Sequence, residues 1–227
     1  MRCAAVLWDM DGVVVDTDHT VAAFWQALAG AEGFTISDED LQHHVYGRHA
    51  DHTLRVLFPA VPVERYPEVY ERLREDNESL EYSDIPGAGK LLRQLRDNGV
   101  PLALVTGAQH YKVTAVLDQL DLTDVFDVHI RAEDVPAGKP DPACYRLAAE
   151  RLGADIGQCL VFEDALSGVA SAVAAGATCV AIGPRWRAAE LRAAGAVEVI
   201  PDFTTVEFST PELATRMGPG MTVHLTR

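Results

Sequence analysis

The chain has 227 residues and a mass of 24.6 kDa, material for one or two compact domains with a sizeable core. Its 48% hydrophobic and 23% charged residues are ordinary for a globular soluble protein. A formal net charge of −15 with no basic cluster argues against nucleic acid as a partner, and no apolar run approaches the roughly 20 residues that span a bilayer. The acidity reads as a solubility property and fits a monomer or weak homodimer. Cys3, Cys144, Cys159 and Cys179 are scattered without a CxxC pair, which predicts free thiols in a reducing compartment. Met1-Arg2 leads into an apolar run with no secretory pattern, so a cytoplasmic location is expected.

The run Cys3-Ala4-Ala5-Val6-Leu7-Trp8 ends in Asp9-Met10-Asp11-Gly12. Strands of parallel sheets are covered on both faces and lack polar alternation, so this reads as a buried strand. Ligands in open α/β sheets sit beyond the carboxyl ends of the strands. Residues two apart in extended chain point the same way, so Asp9 and Asp11 can serve one site. Two carboxylates that close repel, and both stay ionised only if a cation or donors compensate.

Residues 18–83 hold helical patterns such as Val21 to Leu28 and Pro67 to Leu80 but no strand of similar strength, and predict an all-helical insert. Pro86-Gly87 and Gly89 mark the return to the core. Strand and helix then alternate. Leu102 to Val105 reads as a strand, His110 to Leu120 as a helix, Val125 to Ile130 as a weaker strand and Asp141 to Leu152 as a helix with Pro142 in its first turn. Cys159 to Phe162 is a strand ending at Glu163-Asp164, and Ser167 to Ala175 a helix closed by Gly176. Thr178 to Ile182 and Val197 to Ile200 complete the strands. The rhythm predicts a three-layer α/β core with a parallel, Rossmann-like sheet and right-handed crossovers, from residues 1–17 and 84–203. Residues 204–227, including Met217-Gly218-Pro219-Gly220-Met221, are poorly patterned and read as a loose tail.

Four signals fall at strand ends or nearby loops: Asp9-Met10-Asp11-Gly12-Val13-Val14-Val15-Asp16-Thr17; Val105-Thr106-Gly107-Ala108; Gly138-Lys139-Pro140-Asp141-Pro142; and Val161-Phe162-Glu163-Asp164-Ala165. In this order they resemble the haloacid dehalogenase superfamily of aspartate-based phosphotransferases, over residues 3 to about 183. The insert resembles that superfamily's small helical cap. Phe162 to Ala165, Gly168 and Ala175-Gly176 resemble the branch with beta-phosphoglucomutase and small sugar phosphatases.

The resemblance implies a Mg²⁺-dependent phosphatase acting on a small phosphorylated sugar or polyol. Asp9 is then the nucleophile, forming an aspartyl-phosphate. Asp11 protonates the leaving group and later deprotonates water. Thr106 donates its hydroxyl to the transferring phosphoryl group, and Gly107 and Ala108 add N–H groups near a helix N-terminus. Lys139 offsets the carboxylates. Mg²⁺ is held by Asp9, the Asp11 carbonyl and Asp164, with Glu163 binding directly or through water. Asp16 and Thr17 brace the flap that links core to cap. Gly47-Arg48-His49 is the candidate reader of the leaving group, Arg48 donating a planar pair of hydrogen bonds.

The chain departs from the mutases at two places: Val21 stands where they carry a histidine, and Ala50 where they carry an arginine three residues after the glycine. A mutase using the same aspartyl-phosphate is therefore the alternative, as is a sensor that only binds a phosphorylated ligand. Residues 18–83 contain no lysine, which argues against a Schiff-base phosphonate hydrolase. His110 stands where many relatives have a small amide. His43, His44, His49 and His52 lack zinc-site company. Phe24 and Trp25 read as core of the insert.

Overall fold

The computed structural model describes residues 2–209 and 221–225. The first apolar run divides at the exposed Ala4 into β1 (Arg2–Cys3) and β2 (Ala5–Trp8). Strand β2 joins β3 (Leu102–Val105), β4 (Val128–Ile130), β5 (Cys159–Glu163), β6 (Thr178–Ile182) and β7 (Glu198–Ile200) in one sheet of order β4-β3-β2-β5-β6-β7. Every pairing in it is parallel, Trp8 standing opposite Leu104 on one side and Phe162 on the other.

Both faces are covered, which explains the unbroken apolar strands. Val6, Trp8, Leu104 and Phe162 point into a cluster with Leu91, Leu92, Leu95 of α5 (Ala88–Asp97) and Val113, Val116, Leu117 of α6 (His110–Gln119). Ala5, Leu7, Ala103 and Val161 point to the other face. There they meet Tyr145 and Ala148 of α7 (Ala143–Leu152) and Val169 and Ala172 of α8 (Leu166–Ala175). Each fully buried Leu, Val or Phe contributes about 1.5–3 kcal/mol. A short α9 (Ala188–Ala193) follows β6.

The insert holds α1 (Asp18–Ala31), α2 (Asp38–His44), α3 (Ala50–Leu57) and α4 (Tyr66–Glu78). Its separate core gathers Trp25, Leu28, Leu54 and Phe58, with the Phe58 ring 5.7 Å from Trp25 and 5.1 Å from Phe34. Ser37 and Asp40 close a capping box on α2, which fixes where that polar helix begins.

Residues 206–209 and 221–225 depart from the expected loose tail. There β8 (Val206–Ser209) and β9 (Met221–Leu225) pair antiparallel, and β9 pairs with β1 through Arg2 and Cys3. The strands are short and β1, the second partner of β9, lies at the opposite end of the chain, so no local pattern announces the sheet. Met217-Gly218-Pro219-Gly220 lies outside the described residues. Among the described residues, no helix is long and apolar enough to cross a membrane.

Candidate active site

Strand β2 lies between β3 and β5, where the strand order reverses: the chain builds outward through β3 and β4 on one side, then through β5, β6 and β7 on the other, and such a switch point is where open α/β sheets bind ligands. Register sets three strand ends side by side. The Asp9 N–H donates to the Phe162 carbonyl at 3.0 Å, and the Thr106 N–H to the Ile130 carbonyl at 2.9 Å. Past Asp9 the chain turns tightly, the N–H groups of Val14 and Val15 reaching the Met10 carbonyl at 2.8 and 3.0 Å. Gly12 takes φ 73°, and a Cβ there would fall 2.5 Å from Asp164 Oδ2. Glycine is thus what lets this turn lie across Asp164. Asp16 N–H then bonds the Ser83 carbonyl and Ile85 N–H the Val14 carbonyl, joining the two connections between core and insert.

Lys139 is buried at the centre. Its ammonium donates to Asp9 Oδ1, to Glu163 Oε1 at 2.6 Å and to the Val105 carbonyl at 3.0 Å. Glu163 Oε1 also accepts from the Tyr145 hydroxyl at 2.7 Å, while Oε2 accepts from the N–H groups of Asp164 and Ala165 at 3.0 and 3.2 Å. Both Glu163 oxygens are therefore engaged in holding Lys139 and the turn after β5. Gly168 makes room for that carboxylate, since a Cβ would fall 1.8 Å from Oε1.

Burial pushes the Asp9 carboxyl up to about 8, Lys139 pulling it back and Glu163 and Asp11 adding to the rise. Burial, then the Asp18, Glu163 and Asp9 charges, hold Asp164 well above the usual carboxylate range. Burial opposes the Lys139 charge, but Asp9 and Glu163 outweigh it and raise its pKa. Asp9, Glu163 and Asp164 offer ligand atoms all within 4.8 Å of one another, against this single ammonium. The excess of negative charge and the all-oxygen donor set fit a divalent cation of the hard class. Among the described residues this is the one such grouping, and the cap histidines form none.

A cavity of about 310 Å³ opens between this sheet edge and the insert, with Asp9, Asp11, Thr106 and Asp164 on one side and Arg48 and His49 on the other. Thr106 Oγ1 accepts from the Ala108 N–H at 3.0 Å, and Gly107 and Ala108 line the cavity beside it. Trp25 belongs to the core of the insert, as expected, and together with Phe24 it also lines the cavity. Asp11 accepts at Oδ1 from the Thr17 hydroxyl and from Lys112. Thr17 is the N-cap residue of α1 but makes no side-chain cap bond, because its hydroxyl turns to Asp11.

The turn between α2 and α3 seats on the core. Arg48 Nη1 donates to the Lys139 carbonyl at 2.8 Å and Nε to the His43 carbonyl at 3.1 Å, so two of its donors serve the backbone. Gly47 takes φ 67°, and a Cβ there would lie 2.7 Å from Ala165 Cβ. The His49 ring rests on Gly138 and Gly107, where added Cβ atoms would fall 2.7 and 3.3 Å from its Cδ2. The His110 N–H donates to Glu133 Oε1 at 3.0 Å.

Sequence reasoning missed Lys112 and Tyr145. A tyrosine inside the small-residue face of α7 is a findable signal, because a buried hydroxyl needs a partner. A lysine in the first turn of a helix is another, because it opposes the helix dipole.

These features coincide with one known group. The model for haloacid dehalogenase-like hydrolases matches residues 3–176, and the chain belongs to that family, in the branch of the beta-phosphoglucomutases and sugar phosphatases. Within it the chain is a phosphoric monoester hydrolase. It is 31% identical over 176 residues to a phosphorylated carbohydrates phosphatase of Thermotoga maritima, covering 76% of this chain and 81% of that one. It is 32% identical over 184 residues to hexitol phosphatase A of Escherichia coli, covering 80% and 84%. A solved Bacteroides vulgatus protein classed with the beta-phosphoglucomutases superposes with a TM-score of 0.77 at 27% identity, over 88% of this chain and 84% of that one.

Proposed function

We propose that this chain is a Mg²⁺-dependent phosphatase that hydrolyses a small phosphorylated sugar or polyol through an aspartyl-phosphate on Asp9. The observation that carries the reading is the Asp9 carboxylate at the end of β2, paired with buried Lys139 and grouped with Asp164, beneath a cavity of about 310 Å³. That volume sits at the small end of the range for metabolite pockets.

In the first step an Asp9 oxygen attacks phosphorus in line as the bond to the leaving oxygen breaks. Asp11 gives that oxygen its proton, so the product leaves as an alcohol. In the second, Asp11 takes a proton from water, whose oxygen attacks phosphorus and returns Asp9 as a carboxylate with release of inorganic phosphate. Thr106, Gly107, Ala108 and Lys139 offset charge on the equatorial phosphoryl oxygens. When bound by Asp9, Asp164 and the Asp11 carbonyl, the cation draws the Asp9 pKa down and offsets phosphoryl charge. Glu163 fixes Lys139 and, as one of the three grouped carboxylates, would bind the cation directly or through water.

The names of the two curated relatives support the sugar or polyol as leaving group. Gly47 and Arg48 are its proposed readers, Arg48 with the nitrogen that neither backbone carbonyl engages. A mutase must bind and re-orient a bisphosphate, and Ala50 and Val21 offer neither cation nor proton donor to it. Four buried free cysteines support a cytoplasmic setting.

Inorganic phosphate release is measured across sugar, polyol and nucleotide monophosphates, with Mg²⁺ and with excess chelator. Turnover of hexose or hexitol phosphates that needs Mg²⁺ and vanishes in Asp9→Asn supports the reading; turnover surviving either change refutes the mechanism. Faster formation of glucose 6-phosphate than of free phosphate from β-glucose 1-phosphate favours the mutase instead.

A further inference from the structure

Lys112 stands where a lysine is disfavoured twice over. Gln109 is the N-cap of α6, so Lys112 is its third residue, close to the partly positive end of the helix dipole. It is also only 7% exposed, and a buried ammonium needs a partner. That partner is Asp11, reached across 101 positions of sequence, at the same Oδ1 that takes the Thr17 hydroxyl. Residues that break local rules without a packing reward mark functional sites.

We infer that Lys112 is a positioning residue for the proton transfer made by Asp11. The inference rests on the phosphatase reading. Thr17 comes from the connection into the insert, Lys112 from the core helix behind the phosphoryl loop, and both donate to one oxygen. Two donors from separate elements fix the carboxylate plane, where one donor would leave it free to swing. The second oxygen, Oδ2, is thereby the atom presented to the leaving group and to water. Lys112 lines the same cavity, so a direct contact with substrate is the rival role, and the two are separable by experiment.

The readout is dependence on the leaving group. An alkoxide leaves badly without a proton, whereas p-nitrophenolate leaves unaided, so only the former relies on Asp11 during departure. The kcat/KM for sorbitol 6-phosphate and for p-nitrophenyl phosphate, which reports steps up to that departure, is measured in wild type, Lys112→Met and Lys112→Arg. Misplacement of a proton donor by about 1 Å costs about a hundredfold. Lys112→Met is therefore expected to lose about tenfold to a hundredfold on the alkyl ester. Its loss on the aryl ester is expected to be about tenfold smaller, and Lys112→Arg recovers part of the difference. In an Asp11→Asn background the same substitution adds less than about twofold.

Equal losses on the two esters overturn the inference, as does an undiminished loss in the Asp11→Asn background, which is the signature of direct substrate binding. If Lys112→Met does not fold, the ratio between esters in Lys112→Arg and Thr17→Val decides in the same way: an unchanged ratio in both overturns it. A wild-type chain that hydrolyses neither ester overturns the phosphatase reading itself and the inference with it.

Discussion

Gly138→Ala sets one methyl group in the path of the cap. The new Cβ would sit 2.7, 2.8 and 2.9 Å from Cδ2, Cγ and Nε2 of the His49 ring. Carbon contacts are optimal at about 3.5–4.0 Å, so the ring must retreat by roughly 1 Å. Because three ring atoms are crowded together, rotation about one bond does not relieve them all. Gly138 is not among the glycines with left-handed backbone, so alanine suits the local chain and the effect is steric. Overpacking of this kind costs about 1–3 kcal/mol. It acts only when the turn at residues 47–49 is seated, which lowers the population of that closed arrangement about 5- to 150-fold. The kcat/KM for a hexitol phosphate is expected to fall by a factor in that range. His49→Ala empties the socket, and adding Gly138→Ala to it is expected to cost less than about twofold. The double-mutant cycle is the assay. Equal losses from Gly138→Ala in both backgrounds refute the reasoning.

Other substitutions test the buried charges. Lys139→Met leaves Asp9 and Glu163 without their ammonium, and is expected to destabilise the metal-free fold by about 3–5 kcal/mol in urea unfolding; a loss below about 1 kcal/mol contradicts the pairing. On the proposed mechanism Asp11→Asn keeps the nucleophile but not the proton relay, so mass spectrometry under substrate should find slow phosphorylation of Asp9 with stalled release, and an unmodified Asp9 counts against the two-step scheme. His52 lies with its Nε2 3.2 Å from His44 Nδ1, and burial, then the Arg48 and His44 charges, lower its pKa from 6.5 to about 4. The unfolded chain thus binds more protons between those values, so this contribution to stability is present above 6.5 and is lost as pH falls toward 4. Trp25 fluorescence should report acid loosening of the cap that His52→Gln diminishes, and an unchanged profile in the variant sinks the assignment.

The sheet edge was legible because local chemistry wrote it. Apolar runs buried on both faces announce their own ends, and Asp9, Thr106 and Glu163-Asp164 occupy those ends. Boundaries moved where the signal was weakest: the fourth strand begins at Val128 rather than Val125, and Pro142 stands at the N-cap of α7 rather than within its first turn. Pairings between distant residues were not legible. Lys112 with Asp11, Tyr145 with Glu163 and β1 with β9 each depend on tertiary placement that no window of sequence contains. The seat of the cap was also hidden, because Gly107 and Gly138 read as turn residues until a ring is found lying on them.

Lys139 is gripped at both extremities, its carbonyl by Arg48 and its ammonium by Asp9. An ester too bulky for the cavity would part Arg48 from that carbonyl, so misfit would be relayed along a single side chain to Asp9 and not end at the doorway.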